Sequence, residues 1–226
     1  MNYKYKTVLV TGGSSGIGES VLKEFADKKP KRLFSFDINE PKERIPNVNY
    51  IQVDVSNGYD LSKAMSNIPD DSCNDIDFVV NCAGVMEEET PEGIEKMFKV
   101  NAKGTSNLLH NLTNRFSQGA VFVQVSSAMA LNLKECIGYS GSKLAGALIA
   151  KSYGECTLRN HSTVKIVYPG PVDTPLFRKG KTEERIQRIK PTKPEELAEK
   201  IIALIESDKK VLRCLDDFPN WTYVLE

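Results

Sequence analysis

Thr11-Gly12-Gly13-Ser14-Ser15-Gly16-Ile17-Gly18 is the stretch on which the reading of this chain turns. It follows a short apolar run, Thr7–Val10, and leads into a helical pattern from Ile17 to about Lys28, with Val21, Leu22 and Phe25 on one face. Glycines between a buried strand and a helix let the backbone turn tightly and come close to a ligand. The helix start leaves N–H donors unpaired, and its dipole favours an anion. Gly12, Gly16 and Gly18 supply the turn, while Ser14, Ser15 and Ile17 complete a cradle of the size of a diphosphate.

Working outward, Pro30 stops the first helix, and Arg32–Phe36 forms a strand ending at Asp37. Val48–Val53 is a third strand ending at Asp54, and a short helix is expected near Leu61–Asn67. Ile76–Val80 runs into Asn81-Cys82-Ala83-Gly84, and Pro91 opens helical patterning that continues, with an interruption, to Phe116. Ala120–Val125 is a strand, Gly138–Arg159 a long helix, Val164–Val167 a strand and Glu195–Glu206 a late amphipathic helix. Strands alternating with helices predict an α/β fold: a doubly wound parallel sheet in a three-layer αβα domain. Ligands of such sheets gather beyond the carboxyl ends of the strands. Gly12, Asp37, Asp54, Asn81, Ser126, Ser127 and Gly170 all fall at those ends.

At 226 residues the chain suits one such domain rather than two. Its 30 basic residues equal its 30 acidic ones, so no nucleic acid or anionic membrane is expected as partner. No apolar run is long enough to span a bilayer, and the first residues read as a buried strand rather than a secretory signal. Cys73, Cys82, Cys136, Cys156 and Cys214 are odd in number and form no C-x-x-C pair, which points to a reducing, cytoplasmic setting. His110 and His161 lack ligand spacing, so no metal site is expected.

Two further positions carry chemistry. Asp37 lies about 20 residues beyond the glycine turn, where a carboxylate accepts from both hydroxyls of an adenosine ribose and repels a 2′-phosphate. No Arg or Lys stands within Gly13–Ser15, and Ile38 follows Asp37, so the reading favours NAD over NADP. Tyr139 and Lys143 are four apart, hence on one helix face. A neighbouring ammonium and a cationic nicotinamide ring both stabilise a phenolate, which can then exchange a proton with an alcohol or a carbonyl. Alone, such a pair is common on exposed helices.

In combination, these motifs resemble the short-chain dehydrogenase/reductase family, in its short single-domain branch with a Rossmann-type sheet, over roughly residues 6–175. TGGSSGIG (11–18) resembles the family's cofactor turn, and Asp54-Val55 its adenine-contacting pair. NCAG (81–84) resembles its N-N-A-G, with Cys82 in place of the second Asn, so that Asn81, Ala83 and Gly84 are expected beside the cofactor. Asn101 matches the helix asparagine that holds a relay water. VSSAMA (125–130) resembles the strand end with the catalytic serine, and YSGSK (139–143) the Tyr/Lys element. YPGPVDTP (168–175) resembles the segment whose threonine meets the nicotinamide carboxamide, which brings Pro169, Gly170, Val172 and Thr174 to the cofactor.

The resemblance implies an NAD-dependent oxidoreductase moving a hydride between cofactor and a secondary alcohol or ketone. Tyr139 would be the general acid/base, Lys143 its pKa-lowering and ribose-binding partner, and Asn101 the residue ordering the relay. Spacing of thirteen residues to the tyrosine would select Ser126 as the catalytic serine, whereas the Ser-Ser-Ala pattern selects Ser127, which is preferred. The alternative is an NAD-binding redox sensor with little turnover.

Beyond Thr174 the pattern is lost. A lid around 174–194 is rich in Arg178, Lys179, Lys181, Arg185, Arg188 and Lys190 against Glu183 and Glu184, and reads either as a solvated amphipathic helix or as a selector of anionic substrates. The family's typical last strand, with its Thr-Gly and Asp-Gly-Gly, is expected to be absent, the chain running instead to VLRCLDDFPNWTYVLE. That tail often builds the second axis of a tetramer. Gly146, Ala147 and Ala150, small enough for close packing between copies, lead to the expectation of a homodimer.

Overall fold

β1 (Thr7–Thr11) is buried along its whole length, because it runs between β2 (Arg32–Asp37) and β4 (Ile76–Asn81), parallel to both. Such a strand contacts a core on each side and alternates between them. Val8 and Val10 join one core and Leu9 the other. The computed structural model describes residues 1–69, 76–132, 136–156, 162–215 and 221–226. Its sheet has the order β3-β2-β1-β4-β5-β6-β7-β8. The remaining strands are β3 (Val48–Gln52), β5 (Phe116–Val125), β6 (Thr163–Tyr168), β7 (Val211–Cys214) and β8 (Tyr223–Leu225). All are parallel except β8, which returns antiparallel along β7. The chain grows outward from β1 to β3, then crosses back to β4, so a crevice opens at the β1/β4 switch point.

One face is covered by α1 (Gly16–Asp27) and α8 (Pro194–Glu206), whose Val21, Leu22, Phe25, Leu197, Ile201 and Ile205 pack on Val8, Val10 and Val80. The other carries α2 (Gly58–Met65), α4 (Gly104–Leu112) and α5 (Ile137–Cys156), with Leu61, Leu108, Leu109 and Ala150 packed on Leu9, Phe34 and Val79. No helix among the described residues is long and apolar enough to cross a membrane.

Several boundaries differ from expectation. The helical patterning after Pro91 divides into α3 (Pro91–Met97), one π-helical turn (Phe98–Lys103) and α4, and ends at Leu112. Phe116 belongs to β5, which begins four residues before the expected Ala120: Gly119, at φ +73°, and a register shift on β4 let Phe116 pair with Ile76. The expected end of the long helix at Arg159 lies outside the described residues, as do Cys73 and His161.

β7 and β8 escaped the sequence reading because four- and three-residue strands hold too few residues for a period to show. Pairing with β6 decides β7, and β7 then templates β8. A last parallel strand therefore exists without the family's glycine motif.

The argument for a homodimer from small residues also fails. Ala147 and Ala150 belong to the subunit's own core, and a Cβ on Gly146 would lie 2.5 Å from the carbonyl oxygen of Asn101. These positions are small because α5 lies tightly against the π-helical turn and the sheet, not to receive a second copy.

The lid folds as α6 (Pro175–Arg178) and α7 (Glu183–Ile189). Its base is closed by a bridge between Val172 and Thr192, with Asp173 N–H donating to Thr192 O and Thr192 N–H to Pro171 O (both 2.9 Å).

Candidate active site

The glycine turn sits at the carboxyl end of β1. Gly12 has φ +68° and Gly16 φ +57°, where any side chain would be strained. A Cβ on Gly12 would be 2.8 Å from Ala83 N, and one on Gly16 3.0 Å from Thr174 Cγ2. Three separate segments therefore converge: the turn, the Asn81–Gly84 strand end and the start of the lid. Ser15 is the N-cap of α1 but makes no side-chain cap bond, and the helix points its start at the crevice. This bare, glycine-lined cradle fits the diphosphate of a dinucleotide.

At the end of β2, Asp37 accepts from Ser14 N–H (3.0 Å) and Asn39 N–H (2.8 Å), and Ser14 Oγ donates to Asn39 O (2.7 Å). The carboxylate is thus fixed beside the turn. Beyond β3, Asp54 Oδ1 accepts from Ser56 N–H (2.8 Å), while Val55 is buried against Gly104, where a Cβ would come within 2.9 Å of Val55 Cγ2. Asn107 Nδ2 donates to the carbonyls of Val55 and Ser56 (both 3.1 Å).

Beneath the crevice runs a buried polar network. Asn81 Oδ1 accepts from Thr11 Oγ1 (2.5 Å), and its Nδ2 donates to Gln124 Oε1 (2.8 Å) and Thr105 Oγ1 (3.1 Å). Thr11 Oγ1 in turn accepts from Ala83 N–H (3.1 Å), and Thr105 donates to Asn101 O (2.9 Å). The network joins β1, β4, β5 and the π-helical turn, so it holds the strand ends at fixed heights. Thr11, Thr105 and Gln124 were missed in the sequence. The available signal was a glutamine inside the apolar run AVFVQV (120–125).

Tyr139 and Lys143 project from one face of α5 onto this floor. Lys143 is 5% exposed; its Nζ donates to Val125 O (2.7 Å) and stands 3.2 Å from where a Gly84 Cβ would be. Burial pulls the ammonium down to about 8. Burial pushes the Tyr139 phenol up to about 12, opposed by a hydrogen bond with Ser127 and aided by the nearby Cys136 thiol. In the protein alone, burial holds the phenol above its ordinary value, and so protonated at neutral pH. Such a group is a proton donor.

The two serines separate by strand alternation. Ser126 Oγ points into the protein and donates to Lys143 O (3.0 Å). Ser127, which opens a 3₁₀ turn (Ala128–Ala130) by accepting from Met129 N–H (3.2 Å), is the one that reaches Tyr139. Asn101, in the middle of the π-helical turn, has a fully engaged amide. Its Oδ1 accepts from Val85 N–H (2.8 Å), and its Nδ2 donates to Val85 O and to Ser142 Oγ (both 2.9 Å).

On the far side, Pro169 O accepts from Ala128 N–H (2.8 Å). Gly170 lies where a Cβ would be 2.7 Å from Cys214 Sγ. Val172 turns its side chain into the core, and Thr174 caps α6 by accepting from Phe177 N–H (3.2 Å). The lid's basic residues are partly spent inside the chain. Arg178 pairs with Asp173 (2.5 Å) and Glu183 (2.6 Å), and Lys179 crosses the cleft to Glu87 (2.7 Å), which also holds Lys96 (2.6 Å). Only Ile186 of α7 is buried, as in a solvated amphipathic helix. No group of His, Cys, Asp or Glu that could hold a metal ion occurs among the described residues.

Comparison with known proteins identifies the family and the fold. The family model for short chain dehydrogenase matches residues 6–185. An L-fucose dehydrogenase of Mus musculus is 28% identical over 188 residues, covering 77% of this chain and 68% of that protein. An NADPH-dependent aldehyde reductase-like protein, chloroplastic, of Arabidopsis thaliana is 25% identical over 223 residues, covering 84% and 80%. A crystal structure of a short chain dehydrogenase from Burkholderia cenocepacia in complex with NADP superposes with a TM-score of 0.78 at 21% identity, covering 94% of this chain and 89% of that one.

Proposed function

The chain belongs to the short-chain dehydrogenase family, and from that premise we propose that it transfers a hydride between NAD(H) and a secondary alcohol or ketone, with Tyr139 as general acid/base. The observation that carries this reading is the gathering of Tyr139, Ser127 and Lys143 on a buried floor, one strand end away from the glycine cradle. The bound dinucleotide would accept or supply the hydride. Gly12, Gly16 and Gly18 would admit its diphosphate, Asp37 its adenosine ribose, Asp54 and Val55 its adenine, and Asn81, Ala83 and Gly84 the neighbouring floor. Pro169, Gly170, Val172 and Thr174 would back the nicotinamide.

Ser127 holds the substrate oxygen within reach of the Tyr139 phenol, and Lys143 fixes the nicotinamide ribose. In the reductive direction the Tyr139 phenol donates its proton to the carbonyl as it becomes an alcohol, and in the oxidative direction it takes that proton back. Asn101 keeps Val85 and Ser142 in place around this proton path, and its role in ordering a relay water follows the family pattern.

Asp37 supports NAD, since its carboxylate would face a 2′-phosphate. The named NADP(H) users among the similar proteins make this the point to test: NADH should bind at least about tenfold more tightly than NADPH, and Asp37→Ala should narrow the gap. A homodimer remains our reading, now resting on the exposed Leu148 of α5 (56%) and Phe98 (41%) rather than on small residues. The scattered cysteines, odd in number and without a C-x-x-C pair, suit a reducing cytoplasm.

The deciding experiment is a panel of ketones and alcohols with NADH or NAD, followed by nicotinamide absorbance, with Tyr139→Phe alongside. Turnover should fall by about 10²–10⁴-fold in that variant while NADH affinity is kept. Tight NADH binding with no turnover across the panel would replace the enzyme with a redox sensor.

A further inference from the structure

The helix that presents the phenol is held at its first turn by a residue from far earlier in the chain. Glu89, in the segment between β4 and α3, reaches the start of α5. Its Oε2 accepts from Gly138 N–H (2.7 Å) and its Oε1 from Tyr139 N–H (3.2 Å). These are two consecutive amides at a helix N-terminus, where unpaired donors and the helix dipole both favour a carboxylate. Cys136, which precedes the helix, has φ +49°, and a thiol is a weak acceptor for such amides.

The approach is close. A Cβ on Gly138 would stand 3.0 Å from Glu89 Oε2, 2.6 Å from Ile94 Cγ1 and 3.0 Å from Met97 Cε. Glycine at 138 therefore admits both the carboxylate and the flank of α3. Glu89 is itself anchored, because the next residue, Thr90, caps α3 by accepting from Gly93 N–H (3.1 Å). The same segment grips α5 a second time, through the Val85–Asn101–Ser142 chain.

We propose that Glu89 is a positioning residue for proton transfer: its carboxylate clamps the amides of Gly138 and Tyr139 and so sets the height of the phenol over Ser127. The clamp acts on the backbone of the reacting residue itself, where a small displacement misplaces the phenolic oxygen. The inference rests on Tyr139 being the proton-transfer group.

Two measurements on Glu89→Gln and Glu89→Ala test it, and they separate the clamp from the chemistry. Amide hydrogen exchange of the NADH-free protein should quicken about tenfold or more at Gly138 and Tyr139 in Glu89→Ala, while β1 and β4 keep their protection. Glu89→Gln retains one acceptor oxygen and should fall between. With a ketone that the wild-type protein reduces, kcat should fall about tenfold or more in Glu89→Ala, with the NADH Kd and the KM for ketone within about twofold, and Glu89→Gln should recover part of the loss.

Unchanged exchange in either variant overturns the clamp. Faster exchange with an unchanged kcat overturns its role in proton transfer. If Glu89→Ala does not fold, the intermediate behaviour required of Glu89→Gln decides the matter. A wild-type protein that reduces no ketone defeats the reading of Tyr139 and leaves the clamp to stand or fall on exchange alone.

Discussion

The floor of the crevice and the lid over it handle charge in opposite ways. On the floor, Asn81, Gln124, Thr105, Asn101 and Lys143 are buried and bonded to one another or to backbone. On the lid, Arg178, Lys179 and Glu183 are exposed, and their ion pairs stand in water. A buried polar group that loses its partner bears the whole desolvation cost, whereas an exposed pair exchanges one solvated state for another. Substitutions on the floor should therefore cost far more than substitutions in the lid's exposed ion pairs.

The largest expected effect that would sharpen this contrast is Asn81→Ala. It removes one partner each from Thr11, Thr105 and Gln124 at once, and should cost about 3 kcal/mol by urea unfolding. A loss below about 1 kcal/mol would show that water replaces the network readily, and the contrast would fail.

Gly12→Ala should cost about 2 kcal/mol, since its Cβ meets Ala83 N at 2.8 Å from a positive-φ position, and NADH affinity should drop with it. Fluorescence titration alongside thermal unfolding reads both losses.

Lys143→Met tests the cost of a buried ammonium. The folded-state value near 8 lies below the usual 10.5, so the folded protein pays for the charge fully below about pH 8, and the penalty fades as pH rises toward 10.5. The variant should be more stable than wild type by about 1–2 kcal/mol at pH 7, converge with it above pH 10 and lose turnover. Equal stability at pH 7 would mean that the bond to Val125 O already offsets the burial.

The smallest effect belongs to the lid. Lys179 and then Lys96 hold the Glu87 carboxyl down to about 2, so the stabilisation of this group is present above the ordinary carboxylate range and fades as pH falls toward 2. Its partners are mostly exposed, and Glu87→Gln should change stability by less than about 1 kcal/mol at pH 7. Any loss should shrink further in high salt. A larger one would mean that the bridge to Lys179 is a structural strut rather than a loose latch.

The crevice was more legible than the lid for a related reason. Gly12, Asp37 and Asn81 lie at the ends of strands whose central residues are all buried, and such strands are apolar-rich runs that stand out along the chain; Asp54 follows the half-exposed edge strand β3 and was legible from its Asp-Val pair instead. The lid and the C-terminal hairpin consist of elements of three to seven residues with one buried side chain or few, too short for any period to emerge. Gly146, Ala147 and Ala150 show the complementary failure: small residues announce a close approach, but not which surface approaches.

By itself, the sequence determined the α/β alternation, the glycine turn and the residue types on which the proposed cofactor binding and proton exchange rest, because each depends on neighbours within a few residues. Tertiary structure alone decided which of two adjacent serines meets Tyr139 and which buried partners carry the floor. It also decided that α5 starts on a carboxylate from 49 residues upstream and that the last strand exists at all. Each of those outcomes depends on where distant segments cross, and position along the chain carries no trace of a crossing until the sheet has formed.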